Sequence, residues 1–431
     1  MQTSLIMSKP AEIIHSVKGV RDLLPAECAF WQRVEAEARG VFGAYCFQEI
    51  RTPVIEPMAL FVRTVGGETD IVSKEMYTFL DRDDEQIALR PEATAGVVRA
   101  YIEHSLYNQG GTQKLFYIGP MFRRERPQKG RYRQFHQIGA EVIGSEHPLV
   151  DVEVLEMLVL LLERTGIQQH SMLINSVGCA RCRPEYLRVL RQALESVKAG
   201  MCNDCQRRTE TNPLRVLDCK VEADQSTIEK LPHIVDYLCA ECRQHFEAVK
   251  SGLQQRKIAF SLAPRLVRGL DYYMRTTFEV TTGGLGAQNA LLGGGRYDGL
   301  SEMLGGPPAP GFGFAIGEER LVMAATEAGF LKPASGLDVY VAWMGEAAAQ
   351  PAMELTRALR QAGLGAEAPL EALKLKKMLG VASKSGARFS VIIGEGELAS
   401  GKYQVKDMSA GSQEEVEAGR VAEYLYPRLG R

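Results

Sequence analysis

Two runs with strand alternation, FYIGPMFRRE (Phe116 to Glu125) and RQFHQIGAEVIG (Arg133 to Gly144), flank a polar loop, and together they predict one long antiparallel hairpin. The loop is unusual in charge. Residues 121–133 carry Arg123, Arg124, Arg126, Lys129, Arg131 and Arg133 against the single acid Glu125, in a chain of formal net charge -2. With a period of two, Met121, Arg123 and Glu125 share one face of the first strand, and Phe135, Gln137, Gly139 and Glu141 share one face of the second. As a plain core, that face would bury several unpaired polar groups at about 2 kcal/mol or more each. A solvated sheet face is the simple alternative. The glycine and the phenylalanine instead suit a pocket for a flat ring and a small polar ligand. A basic loop beside such a pocket suits a phosphate-bearing polymer.

A chain of 431 residues predicts two or three domains, and 45% hydrophobic residues exclude a disordered or fibrous class. The longest apolar run, MLVLLLERTG from Met157, is broken by Glu163 and falls far short of the roughly 20 apolar residues of a membrane span. No membrane segment is expected. The opening MQTSLIMSKPAEIIHSVKGVRD lacks the pattern of a secretory signal, and Met7 is a second candidate start. A cytoplasmic location with reduced cysteines follows as the expectation.

Seven of the nine cysteines fall between Cys179 and Cys242, and the sequence around them differs from its flanks. The predicted organisation is a core in two parts, 1–171 and 257–328, split by a cysteine-rich insertion at 172–256, then a linker at 329–336 and a final domain at 337–431. In that last domain, DVYVAWM, FSVIIGE and KYQVKDM read as strands. AQPAMELTRALRQAG, ALKLKKMLGVASKSG and EEVEAGRVAEYLY read as helices, which predicts a small α/β unit. Three glycine-rich stretches need separate treatment. GFGFAIG (Gly311 to Gly317) is one residue too long for a dinucleotide fingerprint and reads as close packing of a strand on a helix. GELASGKY (Gly396 to Tyr403) places Tyr where a phosphate loop needs Ser or Thr, and strand follows it instead of helix. GGGRYDGL (Gly293 to Leu300) allows backbone or ligand to approach closely, and is equally compatible with a bulge.

FRRERPQKGRYRQFHQIGAE resembles motif 2 of class II aminoacyl-tRNA synthetases in the form found in the histidyl-tRNA synthetase family. RLVRGLDYYMRTTFEV and GGGRYDGL resemble the two histidine signatures of that family, and GFGFAIGEERL resembles motif 3, ending on Arg320. KGVRDLLP, YCFQEIRTPVIEP (the motif 1 region), GGETDIVSKEMYTF and the C-terminal unit are similar to the family as well. The resemblance implies an α+β fold: an antiparallel sheet with flanking helices, an inserted helical module and a C-terminal α/β anticodon-binding domain. It implies a homodimer that activates L-histidine with ATP and Mg2+ and transfers it to tRNA(His).

By the same resemblance, Arg123 and Arg268 meet the α-phosphate, Glu125 meets the adenine side, and Phe135 and Arg320 stack on the base, with Arg320 also at the γ-phosphate. Always-charged, forked guanidinium groups suit that role. Glu92, Thr94 and Gln137 are assigned to the substrate ammonium, Glu141 and Tyr273 to the imidazole, and Tyr272 to the pocket wall. Arg126 and Gln128 are placed at the extra 5′ nucleotide and discriminator base, with Lys129, Arg131 and Arg133 on phosphates. The alternative is a synthetase-like regulatory subunit of histidine biosynthesis without ligase activity; the retained Arg123, Arg268 and Arg320 and the whole C-terminal domain argue against it.

The cysteines stand apart from this chemistry. Cys179 and Cys182, Cys202 and Cys205, and Cys239 and Cys242 are three C-x-x-C pairs, with Cys219 between the last two. Two such pairs make a tetrahedral thiolate site able to staple a small module, so one structural Zn2+ on four of the seven thiols is expected. The gap between the first and second pairs falls within the usual zinc spacing. Spacing alone leaves the choice of four open.

Overall fold

In the computed structural model, residues 13–66, 69, 71–128, 130–283, 290–330 and 337–430 are described. They form two compact units, Met1–Lys332 and Pro333–Arg431. Among the described residues, no helix is long and apolar enough to cross a membrane.

The first unit opens with short strands β1 (Gln48–Glu49), β2 (Ile55–Pro57), β3 (Tyr77–Leu80) and β4 (Gln86–Leu89). The expected hairpin follows as β5 (Gln113–Phe122) and β6 (Gln134–Ile143), paired from Gln113 with Ile143 to Phe122 with Gln134. The first strand ends three residues before the sequence pattern does. Arg123 N still donates to Arg133 O at 2.9 Å, but Arg124 N turns away to Glu75 O at 2.6 Å, which removes Arg124 and Glu125 from the ladder.

With β7 (Ser171–Ser176), β8 (Ser261–Leu262), β9 (Met274–Thr281), β10 (Ala290–Arg296) and β11 (Gly311–Gly317), the hairpin completes an eight-stranded sheet in the order β1-β5-β6-β11-β10-β9-β7-β8. Only the outer pairs β1/β5 and β7/β8 are parallel. Alternation along β6 then sorts the side chains. Ile138, Ala140 and Val142 enter the main core with the helices Pro25–Ala44, Pro148–Arg164 and Glu318–Glu327. The opposite face of the hairpin, Leu115, Tyr117, Met121 and Phe135, packs with Val97, Tyr272 and Tyr297. Both faces are therefore covered, which rules out a solvated face for Glu141.

The insertion is smaller than its sequence suggests. β7 pairs antiparallel with β9 inside the main sheet. At the other end, Phe246, Val249 and Leu253 of the helix Ala240–Gln255 join the main core. Period-two and period-3.6 patterns do not say which core an element packs on, so both ends were indistinguishable from insert in sequence. Between them, the helices Arg183–Glu195, Asn203–Thr211 and Glu222–Ile228 surround a separate core that includes Tyr186, Leu190, Leu194, Val216 and Ile228.

The second unit contains β12 (Val339–Trp343), β13 (Ala366–Glu367), β14 (Phe389–Ile393), β15 (Lys402–Asp407) and β16 (Gln413–Glu417), in the order β13-β12-β14-β15-β16. One reading changes here: EEVE belongs to edge strand β16, and the last helix begins at Val421. Only Val416 of that strand is buried, while Glu415 accepts a hydrogen bond from Gln404 Nε2 at 3.1 Å across the ladder. Strand pairing overrides the helix preference of a glutamate-rich run. After GELASG comes β15, a strand, as its alternation indicated.

Candidate active site

A cleft of about 250 Å³ is lined by Arg123, Glu125 and Arg131 from the hairpin loop, Phe135 from β6, Arg268 from the RGLDYY segment and Arg320 from the start of the helix Glu318–Glu327. Six residues separated by up to about two hundred positions thus meet at one place. Arg123 is oriented by its Nε donating to Pro91 O at 2.8 Å, and its guanidinium lies 5.4 Å from the Phe135 ring centre. Arg131 pairs with Glu125 at 2.9 Å, and Arg268 donates to Glu279 Oε2 at 2.7 Å. Arg320 donates to Ala290 O, and burial, with Arg131 nearby, pushes its pKa down from the ordinary value. Gly293 leaves room for Arg268: a Cβ there would overlap the guanidinium. That is the close approach GGGRYDGL makes possible. A wider cavity of about 500 Å³ in the second unit is lined by Arg388, Asp407, Glu414 and Arg428 among others, and holds none of the expected catalytic groups. The concentration of guanidinium groups on the smaller cleft makes it the better site for a polyanion.

On the same face of β6, Glu141 is fully buried. Thr94 Oγ1 donates to one carboxylate oxygen at 2.7 Å and Tyr297 Oη to the other at 2.6 Å. Burial pushes the Glu141 carboxyl up to about 8, against the pull of those hydrogen bonds. Gly313 accommodates it, since a Cβ would collide with the carboxylate. GFGFAIG packs on helices through Phe312, Phe314 and Ile316, as its sequence suggested, while Gly313 pairs with Glu141 on the neighbouring strand and makes room for the buried acid. Tyr297 was missed as a site residue; the available signal was a phenol inside GGGRYDGL, with nothing local to say which carboxylate it meets.

The expected ligands of the small substrate divide. Glu92 is buried and accepts backbone N–H bonds from Thr94 at 2.7 Å and Ala95 at 3.0 Å, capping the helix Thr94–Glu103. Burial raises its pKa. A carboxylate accepting two bonds retains further lone pairs. The Tyr272 and Tyr273 rings lie 4.8 Å apart, and the Tyr272 and Tyr297 rings 6.0 Å apart. Burial lifts Tyr273 to about 12, with Arg268 opposing. Gln137 Oε1 and Arg268 Nε are buried without a hydrogen-bond partner among the described residues.

The loop tip separates from the cleft. Arg126 and Gln128 are exposed, and Gln128 and Arg131 close the turn by a backbone bridge. Lys129 lies outside the described residues. Arg133, expected on a phosphate, donates one guanidinium N–H to Lys18 O at 3.2 Å, which ties the loop to the N-terminal segment. The cysteines also sort in a way their spacing did not indicate. The first C-x-x-C pair meets the third, as Cys179, Cys182, Cys239 and Cys242, while Cys202, Cys205 and Cys219 gather with Asp224.

An antiparallel sheet carrying an arginine-lined cleft at a basic hairpin loop, with an arginine at the start of the following helix, defines a class II aminoacyl-tRNA synthetase. A family model described as histidyl-tRNA synthetase matches residues 19–321, and one described as anticodon binding domain matches 338–426. The chain belongs to the histidyl-tRNA synthetase family. It is 58% identical over 414 residues to a histidine-tRNA ligase of Solibacter usitatus, covering 96% of this chain and 99% of the relative. To that of Koribacter versatilis it is 56% identical over 424 residues, covering 96% of each. The crystal structure of apo S. aureus histidyl-tRNA synthetase matches with a TM-score of 0.81 at 38% identity, covering 96% of this chain and 100% of that one.

Proposed function

We propose that this site performs the ligase reaction of the family: activation of L-histidine with ATP, then transfer of the histidyl group to the 3′ end of tRNA(His). The carrying observation is the joining of an arginine-lined cleft to a buried, hydrogen-bonded carboxylate on one sheet face. In the first step a histidine carboxylate oxygen attacks the α-phosphorus, the bond to the β-phosphate oxygen breaks, and pyrophosphate leaves. The protein's task is to align two anions and offset charge that develops between them. Arg123 and Arg268 supply fixed cations for the α-phosphate, Phe135 and Arg320 hold the base, and Glu125 meets its edge. Glu141 and Tyr273 read the imidazole, with Tyr272 as a wall. Glu92, Thr94 and Gln137 receive the ammonium. Glu279 and Glu319 also line the cleft, and hard oxygen donors beside a triphosphate suit Mg2+. Bound there, Mg2+ would offset charge on the departing pyrophosphate.

The regulatory-subunit alternative is not favoured: curated relatives named histidine-tRNA ligase match at 46–58% identity over 94–96% of this chain. Purified protein is expected to exchange pyrophosphate into ATP only when histidine and Mg2+ are both present. Exchange driven by another amino acid, or by none, would overturn the assignment.

The exposed Arg126 and Gln128 are placed on the acceptor end of the tRNA, with Lys129 and Arg131 on its phosphates, and the second unit on the anticodon. Arg126→Ala with Gln128→Ala is expected to slow transfer to tRNA about tenfold or more while leaving pyrophosphate exchange within about twofold. Equal loss in both steps would place the tip in the ATP site. A homodimer is supported by the outer face of the small sheet, where Ile55 and Phe79 are exposed and Leu89 and Ile87, their partners on β4, lie between. A monomeric mass in sedimentation would refute it. A cytoplasmic setting, where thiols stay reduced, belongs to this reading.

A structural zinc is assigned to Cys179, Cys182, Cys239 and Cys242. Tetrahedral Zn–S bonds of about 2.3 Å place sulfurs about 3.8 Å apart. Here Cys179 and Cys182 are separated by 3.7 Å, and Cys179–Cys239 and Cys182–Cys242 by 3.9 Å. These thiols sit where the chain leaves β7 and where it re-enters the core at the helix Ala240–Gln255, so the ion would clasp the neck of the insertion.

A further inference from the structure

We propose that the insertion holds a second, independent Zn2+ site built from Cys202, Cys205, Cys219 and Asp224. Their ligand atoms all lie within 4.8 Å of one another, and all but Cys202 are buried. Cys202 Sγ and Cys219 Sγ are 3.9 Å apart, and Cys219 Sγ lies 3.3 Å from Asp224 Oδ2. A tetrahedral zinc with Zn–S of about 2.3 Å and Zn–O of about 2.0 Å requires about 3.8 Å and 3.5 Å for those separations. The spacing of the four groups therefore already approximates a coordination shell.

Two further observations separate this cluster from ordinary buried cysteines. Asp224 is 2% exposed and makes no ion pair among the described residues; its carboxylate faces only thiols and the backbone N–H of Cys202, at 3.1 and 3.2 Å. Those donors hold Asp224 as a carboxylate with no cation beside it, and a divalent ion would supply one. Val221 N also donates to Cys219 Sγ at 3.4 Å, as Cys179 N does to Cys182 Sγ at 3.1 Å in the first cluster. Backbone N–H groups aimed at sulfur favour thiolate over thiol and act as the outer shell of a metal site. Three thiolates and one carboxylate in a closed tetrahedral set select zinc over the oxygen-preferring Mg2+ or Ca2+.

The second ion has a different task from the first. Cys202 caps the helix Asn203–Thr211, and Cys205 lies in its first turn. At the other end, Asn212 Nδ2 donates to Asp271 Oδ1 at 3.1 Å, within the RGLDYY segment that carries Arg268 and Tyr273. Anchoring the start of this helix thus steadies a prop beneath the histidine-binding loop. The first zinc fixes the neck of the insertion, and the second fixes its inner fold and this prop.

The test is metal analysis of full-length protein purified without chelator. About two zinc ions per chain are expected, with Cys219→Ala and Asp224→Asn each lowering the count to about one. Asp224→Cys, which restores a fourth ligand, should keep two and guards against loss by misfolding. Cys239→Ala should lose the other ion, so the sites fail separately: a single zinc lost in Cys219→Ala but kept in Cys239→Ala refutes the neck clasp alone. A single zinc that persists in Cys219→Ala and Asp224→Asn overturns the second site. So does a mass deficit showing a disulfide between Cys202 and Cys205.

Discussion

Replacing Arg268 by alanine is expected to lower the rate of histidyl-adenylate formation by about 10²- to 10³-fold, with histidine affinity changing only a few-fold. The guanidinium is held in the cleft by its 2.7 Å bond to Glu279, so its charge is in place before negative charge accumulates at phosphorus. An interaction that strengthens between ground state and transition state appears in kcat rather than KM. Arg268→Lys should recover only part of the rate, because an ammonium cannot fork onto two phosphate oxygens. Alanine also leaves Glu279 unpaired in an anion site. Arg268→Ala with Glu279→Gln removes that repulsion, and titrating Mg2+ on the double variant separates it from a lost metal ligand. Single-turnover adenylation with saturating ATP and varied histidine measures both parameters. A normal rate with weakened histidine binding would place Arg268 on the amino acid instead of the phosphate.

Glu141→Gln is expected to raise the KM for histidine by about 10²-fold while leaving the KM for ATP nearly unchanged. On binding histidine the carboxyl is expected to give up its proton and accept from the imidazole as well as from Thr94 and Tyr297; the amide cannot ionise, and its NH2 faces one of those groups as a donor. The same substitution should change the pH dependence of stability. The folded chain holds Glu141 at about 8 through burial, above its ordinary value of 4.5. A raised acid contributes its full share only below the unfolded value; stability falls as pH rises from about 4.5 to 8, where the unfolded chain ionises and the folded chain does not. By linkage that loss is of the order of a few kcal/mol. Urea unfolding of the ligand-free protein at pH 5 and pH 8 should therefore show a smaller decline for Glu141→Gln than for the unsubstituted chain. Parallel declines would mean that Glu141 is ionised in the fold at neutral pH.

Much of this architecture is local and was legible in sequence. Period-two alternation on either side of a polar loop identified the hairpin β5–β6 and the face that carries Phe135, Gln137 and Glu141. The order of the four signature stretches, and the alternation of strands and helices after residue 337, gave the class of fold. Each of these is decided by a residue and its near neighbours, because strand and helix periods are properties of a short window. Where pairing with a distant strand prevailed, as in the glutamate-rich β16, the local pattern misled.

The site's finer wiring was decided only in three dimensions. Tyr297 and Thr94 reach Glu141 from the end of β10 and the start of a helix, across 156 and 47 positions, and no local pattern encodes that meeting. Glu92 turned out to cap a helix because the chain places Thr94 and Ala95 N–H groups on its carboxylate. The cysteines give the plainest physical case. Their spacing left the choice of four open, although the gap from the first pair to the second was the usual zinc spacing; the first pair closes with the third across 60 positions. Loop-closure entropy grows only as the logarithm of length, so the longer loop costs about 1 kcal/mol more, less than the packing of β7 and the helix Ala240–Gln255 on the main core can set. Sequence determined that the thiols were present and in pairs; the core that gathers β7 and that helix decided which pairs meet, and left three thiols to find Asp224.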